Sequence, residues 1–187
     1  MRSNQRALLL LLVVAAAAGT GFWAAWEIQP RQQEVTVCAV HFSPRGGCTD
    51  EACKRLQGAK REVLVQAYSF TSKPITQALV NAYRRGVKVD VVLDKSQLSE
   101  RHSTIGLLAQ AGVPIEIDAA HAIAHNKVMV IDGEEVLTGS FNFTEAAEDR
   151  NAENLLVIRD NALAVQYARN WQAHRLHAKP YPPPRAQ

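Results

Sequence analysis

A histidine and a lysine two residues apart are the pair in this 187-residue chain best suited to chemistry on a phosphodiester. His125 and Lys127 begin an apolar run that is typical of a β-strand, and alternation along a strand places both side chains on one face. An ammonium neutralises a non-bridging phosphate oxygen, while an imidazole attacks phosphorus or donates a proton. The spacing therefore predicts a site for phosphodiester cleavage at the start of this strand.

Polar residues that follow the pair extend the predicted site. Ser140 and Asn142 share a parity after the next strand, so we expect them to add neutral donors to the same phosphate oxygens. Glu153 is expected to accept the second ring N–H of His125 and to fix its tautomer. Each residue type is common in structural roles, and only the joint spacing points to function.

Strand and helix signals alternate ahead of the site. Residues 62–70 are typical of a buried strand, Ser72 is a helix N-cap, and Gly86 ends that helix. The β-α-β-α-β order predicts an α-β-α sandwich on a mixed, mostly parallel sheet. Asp132 and Gly133 predict a two-residue hairpin, in which Asp132 is a turn former. The other expected elements are strands over residues 35–42, 88–93, 115–117, 127–131, 135–138 and 155–158, and helices from a Thr49 cap to about residue 59, over 98–111 and over 161–177.

The site residues form one spaced motif. It reads His125-x-Lys127-x4-Asp132-x6-Gly139-Ser140-x-Asn142. This spacing resembles the HKD signature of the phospholipase D superfamily at every specified position. The resemblance extends over most of the chain after Val35. It is strongest to small bacterial endonucleases with one HKD motif per chain and to the membrane-anchored phospholipase D-like nuclease of mitochondria.

The resemblance implies a mechanism and an assembly. In that family two HKD motifs meet at a pseudo-twofold or true twofold axis, where one histidine forms a phosphohistidine and the other protonates the leaving oxygen. The complete motif occurs once here, so we expect a homodimer with the active site at its interface. No cofactor and no catalytic metal are expected. The catalytic residues would be His125, Lys127, Asp132 and Glu153, with Lys127, Ser140 and Asn142 on the phosphate.

Composition restricts the substrate only weakly. The formal net charge is +3, and without Arg2 and Arg6 the remainder holds 19 basic and 18 acidic residues. Affinity for nucleic acid must therefore come from local clustering of cations, for which Lys73 and Arg150 are candidates. We expect a sequence-nonspecific endonuclease on DNA or RNA. The alternatives are a phospholipase D acting on phosphatidylcholine or cardiolipin and, more remotely, an inactive phosphate-binding module.

The N-terminal segment differs from the rest of the chain. Residues 7–26 are uncharged and apolar, long enough for a signal-peptide core or for one membrane-spanning helix. Residues 1–26 are therefore interpreted as a signal peptide or an anchor, and the protein as periplasmic, secreted or membrane-anchored. A linker over 27–34, a catalytic domain over 35–179 and a loose tail over 180–187 complete the expected organisation.

The three cysteines leave two interpretations open. If Thr49 caps its helix, Cys48 and Cys53 occupy the two positions that touch in a hydrophobic staple, and an exported protein would oxidise them to a disulfide. The alternative is a zinc site of the three cysteines with His41. The expected placement of Cys38 and His41 on opposite faces of one strand disfavours zinc.

Overall fold

One mixed sheet organises the chain. The structure, a computed structural model, describes residues 35–181. Its eight strands lie in the order β1-β7-β6-β5-β2-β3-β4-β8. They are β1 (Thr36–Phe42), β2 (Glu62–Ala67), β3 (Lys88–Asp94), β4 (Ile115–Asp118), β5 (Lys127–Ile131), β6 (Glu135–Gly139), β7 (Asn154–Arg159) and β8 (Lys179–Pro180).

The sheet is mixed, as predicted, but it is not mostly parallel. Strands β2, β3 and β4 run parallel, whereas the remaining five pairings within residues 35–181 are antiparallel. The expectation was wrong because β1 does not lie beside β2. It pairs with β7 at the far edge, and β5, β6 and β7 follow one another as an antiparallel meander.

Helices cover both faces of the sheet, which confirms the α-β-α sandwich. One face packs against α1, α2 and α3, and the other packs against α5. On the α5 face, the indole N–H of Trp171 donates to the Val65 carbonyl at 2.8 Å. The helices are α1 (Cys48–Gly58), α2 (Lys73–Arg84), α3 (Ile105–Gln110), α4 (Glu145–Asp149) and α5 (Asn161–His177), with a 3₁₀ turn at Lys95–Leu98.

The start of α1 differs from its prediction and removes the basis for a disulfide. The N-cap is Gly47 rather than Thr49, and Glu148 of α4 accepts the backbone N–H groups of Gly47 and Thr49 at 3.0 and 2.7 Å. Cys48 and Cys53 consequently both lie inside the helix, five residues apart and on different sides of it. Both thiols are free. Burial, helped by the Glu148 charge, raises the pKa of Cys48 to about 11, so its thiol is unreactive.

The helix expected over residues 98–111 is also wrong in its first half. Asp94 instead caps the 3₁₀ turn by accepting the Ser96 N–H at 2.8 Å. The buried Gln97 side chain accepts the Phe70 N–H at 3.2 Å. These polar side chains fold the segment onto the end of β2, and the helix begins only at Ile105.

Both ends of the described chain bear on the predicted domain limits. Lys179 and Pro180 pair with β4 as β8, so the tail is not loose at its first residue. The predicted signal or anchor over 1–26 and the linker over 27–34 lie outside residues 35–181. No helix within those described residues is long and apolar enough to cross a bilayer.

Candidate active site

Side chains from the end of β2 and the start of β5 meet at the centre of the site. Lys127 Nζ lies 3.1 Å from His125 Nε2 and 3.2 Å from the His125 carbonyl oxygen. The imidazole packs on Tyr68, with ring centroids 4.7 Å apart, and the ammonium lies 5.4 Å from the Tyr68 ring centre. The Tyr68 N–H extends the β2–β5 ladder by donating to Asn126. The predicted juxtaposition of His125 and Lys127 is confirmed.

The pair combines an exposed ring with a buried cation. Lys127 is 8% exposed, whereas His125 is open to solvent. Burial lowers the pKa of the Lys127 ammonium, and the Glu153 carboxylate only partly opposes that effect. An ammonium donates and has no lone pair, so His125 Nε2 must accept and the ring proton lies on Nδ1. Nε2 is therefore the unprotonated nitrogen, which is the form that can attack phosphorus.

Asp132 has a structural role at the opposite end of β5. Asp132 and Gly133 both have positive φ, which is the geometry of the predicted hairpin. The Asp132 carboxylate accepts the backbone N–H groups of Lys60, Arg61 and Glu62 at 2.7–3.3 Å. Burial raises the pKa of this carboxyl, but those hydrogen bonds outweigh it and lower the pKa overall. Asp132 thus anchors the hairpin to the start of β2, five residues along the strand from Lys127.

The Gly-Ser step of the motif joins β6 to β7. Gly139 has φ +148°, and a Cβ there would lie 2.2 Å from the Asn154 carbonyl oxygen, so a side chain is excluded. The Ser140 hydroxyl accepts the backbone N–H of Asn154 at 3.1 Å and contacts its side-chain amide at 3.3 Å. Ser140 was expected to bind phosphate, and the geometry instead gives its hydroxyl a structural partner.

Asn142 is placed differently from Ser140. Its neighbours Phe141 and Phe143 are fully buried in the core, so alternation directs the Asn142 side chain away from it. Its Oδ1 is buried and has no hydrogen-bond partner among residues 35–181. A buried polar atom without a partner costs free energy, and such groups are characteristic of binding sites. Asn142 remains available to a substrate.

Glu153 does not make the contact predicted for it. Its side chain accepts from the Asn151 amide at 3.1 Å. Its backbone N–H donates to the Ser43 hydroxyl, and its carbonyl accepts the Ser43 N–H. No hydrogen bond within residues 35–181 joins it to His125. The loop after β1, whose position the sequence did not predict, holds Glu153 in place. From there the Glu153 carboxylate raises the pKa of Lys127 through its charge, without a hydrogen bond.

An open cleft of about 1220 Å³ begins at Tyr68 and Asn142. Lys73 and Arg150, the predicted phosphate contacts, both line it. The sequence missed a third cation on the wall, Arg101, because its segment was assigned to a helix that does not form. The lining also includes the carboxylates Asp50, Glu100, Glu145, Glu148 and Asp149. The cleft is polar and of mixed charge.

Comparison with known proteins identifies the chain. Residues 52–175 match the family described as "Cardiolipin synthase, PLD-like domain". A phospholipase D of Rickettsia typhi is 45% identical over 140 residues, which are 75% of this chain and 67% of that protein. The chain belongs to the phospholipase D superfamily. It is accordingly a phosphodiesterase, and His125 and Lys127 lie within the residues that match the family.

Two further members of the superfamily resemble the chain. The crystal structure of Nuc, a phospholipase D family member from Salmonella typhimurium, superposes with a TM-score of 0.75 at 37% identity, covering 79% of this chain and 99% of Nuc. A mitochondrial cardiolipin hydrolase of Xenopus laevis is 35% identical over 128 residues, or 66% of this chain and 61% of that protein. Two of the relatives, the phospholipase D and the cardiolipin hydrolase, are named for activity on lipids.

The chain also contains a second His-x-Lys pair. His177 ends α5 and Lys179 begins β8, and neither the Asp nor the Gly-Ser-x-Asn of the superfamily signature follows. The pair therefore does not form a second HKD motif.

The alternative zinc site of the cysteines is not formed. Cys38 Sγ contacts the Thr36 carbonyl, and His41 Nδ1 pairs with the Gly46 carbonyl at 2.7 Å. Within residues 35–181, one group of metal-ligating atoms converges, and it includes none of the cysteines.

Proposed function

We propose that this phosphodiesterase cleaves nucleic acid through a phosphohistidine on His125, without a catalytic metal. The observation that carries the proposal is the 3.1 Å contact between the buried Lys127 ammonium and Nε2 of the exposed His125 ring. This contact puts a fixed positive charge beside an unprotonated nitrogen. A phosphodiester that reaches Nε2 therefore places a non-bridging oxygen against Lys127.

The reaction runs in two displacements. Nε2 of His125 forms a bond to phosphorus, the bond from phosphorus to the leaving oxygen breaks, and an acid protonates that oxygen. Water then attacks phosphorus, giving its proton back to the same group, and the N–P bond breaks. Lys127 donates to the phosphate, and Asn142 donates through Nδ2 once its amide is turned so that Nδ2 takes the unpartnered position of Oδ1. The positive charge that a metal supplies elsewhere comes here from lysine.

The acid comes from a second copy of the chain in this proposal. Within residues 35–181, the ring packed against His125 is Tyr68 and not another imidazole. An exposed His125 is accessible across a twofold axis, where the partner's His125 would protonate the leaving oxygen. A homodimer would also duplicate Lys73, Arg101 and Arg150 along a continuous groove. Such repetition would give a nucleic-acid backbone several cation contacts along the groove, between the carboxylates that also line it.

Phospholipid is the second candidate substrate, and a separate observation favours it. Ile123 lies two residues before His125 and is 56% exposed, and a membrane-facing rim is built from such side chains. The relatives named phospholipase D and cardiolipin hydrolase agree with that class. Nucleic acid is preferred because the cleft beside the site is open and polar, with Leu107 as its large exposed apolar residue, and holds three cations among its five carboxylates.

The test uses one purified sample of the full chain in excess EDTA. Single-stranded DNA, RNA, phosphatidylcholine vesicles and cardiolipin vesicles are assayed in parallel. We expect the nucleic acids to be cleaved faster than either lipid, with a rate that falls steeply as salt is added. Lys73→Gln with Arg150→Gln should weaken DNA binding, whereas Arg84→Gln with Arg169→Gln, off the cleft, should not. If lipid is turned over faster than nucleic acid, and Ile123→Ser reduces that turnover, the protein is a phospholipase and not a nuclease.

A mixing experiment tests the dimer separately. Wild-type chains are unfolded and refolded together with tagged His125→Asn chains, and the singly tagged heterodimer is isolated. Because each reaction needs both histidines, the heterodimer should be at least tenfold less active than the wild-type dimer. A heterodimer with half the wild-type rate, or a fully active monomer by sedimentation, would contradict the shared site.

A further inference from the structure

Three of the six histidines gather around one carboxylate away from the catalytic pair. Asp118 ends β4, His121 lies in the loop that follows, and His174 and His177 form the last turn of α5. We call these four residues the histidine–aspartate tetrad. Four atoms, one from each side chain, lie within 4.8 Å of one another. Neither the motif nor the proposed reaction uses any of them.

The contacts converge on a single atom. Asp118 Oδ2 lies 2.6 Å from His174 Nδ1, 3.1 Å from His121 Nδ1 and 3.3 Å from His177 Nε2. A carboxylate oxygen has two lone pairs, so three ring N–H donors exceed what it can accept in good geometry. Its other oxygen, Oδ1, is already oriented by the Ala120 N–H at 3.0 Å. A cation shared by the four atoms would satisfy all of them, with the three ring nitrogens unprotonated.

The ligand set also specifies the ion. Tetrahedral bonds of about 2.0–2.1 Å to nitrogen and oxygen require neighbouring ligand atoms about 3.3 Å apart. The separations of His121 and His177 from Oδ2, 3.1 and 3.3 Å, are already close to that value, and the 2.6 Å contact of His174 would lengthen on binding. Three imidazoles and one carboxylate suit Zn²⁺, whereas Ca²⁺ and Mg²⁺ take oxygen ligands. Four protein ligands leave no open position for substrate, which is the arrangement of a structural site.

We propose that Asp118, His121, His174 and His177 bind one Zn²⁺ ion that fastens the end of α5 to the loop between β4 and β5. Asp118 is fully buried and His174 is 14% exposed, while the other two rings face solvent and leave the ion a path inward. The same loop leads to His125. Two hydrogen bonds from the end of β3 also hold this loop. The Asp94 carboxylate accepts the Ala124 N–H at 2.8 Å, and Lys95 donates to the His121 carbonyl. The ion would therefore complete the attachment of the segment that precedes the nucleophile.

The test measures metal rather than turnover. Full-length protein is stripped with chelator, supplied with Zn²⁺, desalted and analysed for metal content. We expect one Zn²⁺ per chain in the wild type and none above background in His174→Gln with His177→Gln. His102→Gln, an exposed histidine outside the tetrad, is the matched control and should bind like the wild type. Mg²⁺ and Ca²⁺ at the same concentration should not compete.

Two measurements on the unmutated chain keep the test independent of how the variants fold. Zn²⁺ at 100 times its dissociation constant should lower the unfolding equilibrium constant about 100-fold, seen as a rise in Tm. Co²⁺ in its place should give the visible absorption of a tetrahedral nitrogen and oxygen site. An intense sulfur-to-metal band would assign the ion to the cysteines and overturn the proposal. Wild-type protein that binds no more Zn²⁺ than the double variant would show the tetrad to be a hydrogen-bonded cluster only.

Discussion

Two histidine sites in this chain lie four residues apart and have opposite electrostatic surroundings. His125 has a buried ammonium against its ring nitrogen and an aromatic ring packed beside it at a tilt. His121 belongs to a group of three imidazoles around a buried carboxylate. A neighbouring cation repels metal ions and attracts a phosphate, whereas a carboxylate collects imidazoles and cations. The charge of the neighbouring side chain therefore decides whether a histidine is suited to attack phosphorus or to bind a metal ion.

The largest expected effect is the difference in turnover between a variant of the catalytic site and a variant of the tetrad. His125→Asn keeps the size and polarity of the residue but removes the attacking nitrogen, so turnover should fall at least about 10³-fold and no acid-labile phosphoenzyme should form. His174→Gln should leave turnover of the folded protein within a few-fold. Single-turnover assays with labelled substrate measure both quantities. Equal losses in the two variants would mean that the sites are not functionally distinct.

The next effect concerns the cation that distinguishes the catalytic site. Lys127→Ala removes a buried charge contact of about 3–4 kcal/mol in the transition state, and the rate should fall roughly 10²- to 10³-fold. Burial lowers the pKa of Lys127, so the charged form is lost at a lower pH than for an ordinary lysine. Wild-type activity should therefore decline as pH rises through that lowered pKa.

A matched variant sharpens the pH argument. Arginine stays protonated across the accessible range, so Lys127→Arg, although slower because its geometry differs, should lose the alkaline decline. Rate profiles from neutral to alkaline pH give the comparison. An unchanged alkaline limb in Lys127→Arg would assign the titration to another group.

The smallest effect concerns Asp132, which shares the signature with His125 and Lys127 but is tied to the backbone of β2. Asp132→Asn tolerates the positive φ but weakens three backbone hydrogen bonds to a charged acceptor, so the free energy of unfolding should fall by about 2 kcal/mol. The rate per folded molecule should be unchanged. Denaturant unfolding and active-site-normalised kinetics measure the two effects.

The acid dependence of that variant provides a control. The pKa of Asp132 is lowered on folding, so its contribution to stability is present at neutral pH and is lost as pH falls through the folded-state value. Wild type and Asp132→Asn should therefore converge in stability in acid. Glu134→Gln on the same hairpin breaks only an exposed ion pair with Arg61 and should change stability little. A catalytic loss in Asp132→Asn without a loss of stability would contradict the structural role.

Much of the fold could be predicted because its signals are local. The predicted strand over 127–131 and helix over 161–177 match β5 and α5, and Ser72 caps α2 by accepting the Ile75 N–H. Alternation, turn residues and caps act over a few residues, so the sequence alone contains them. The errors have non-local causes. The position of β1 depends on pairing with β7, and the start of α1 depends on Glu148, a hundred residues away.

The candidate site divides in the same way. The sequence by itself determined the juxtaposition of His125 and Lys127, because strand alternation fixes which side chains share a face. Only the tertiary structure decided that the Ser140 hydroxyl bonds to the Asn154 backbone. It also decided that Glu153 raises the pKa of Lys127 through its charge and forms no hydrogen bond with His125. It alone also assembled the histidine–aspartate tetrad from segments more than fifty residues apart. Such groupings follow from how β4 and α5 pack, and no short-range pattern in the chain encodes that packing.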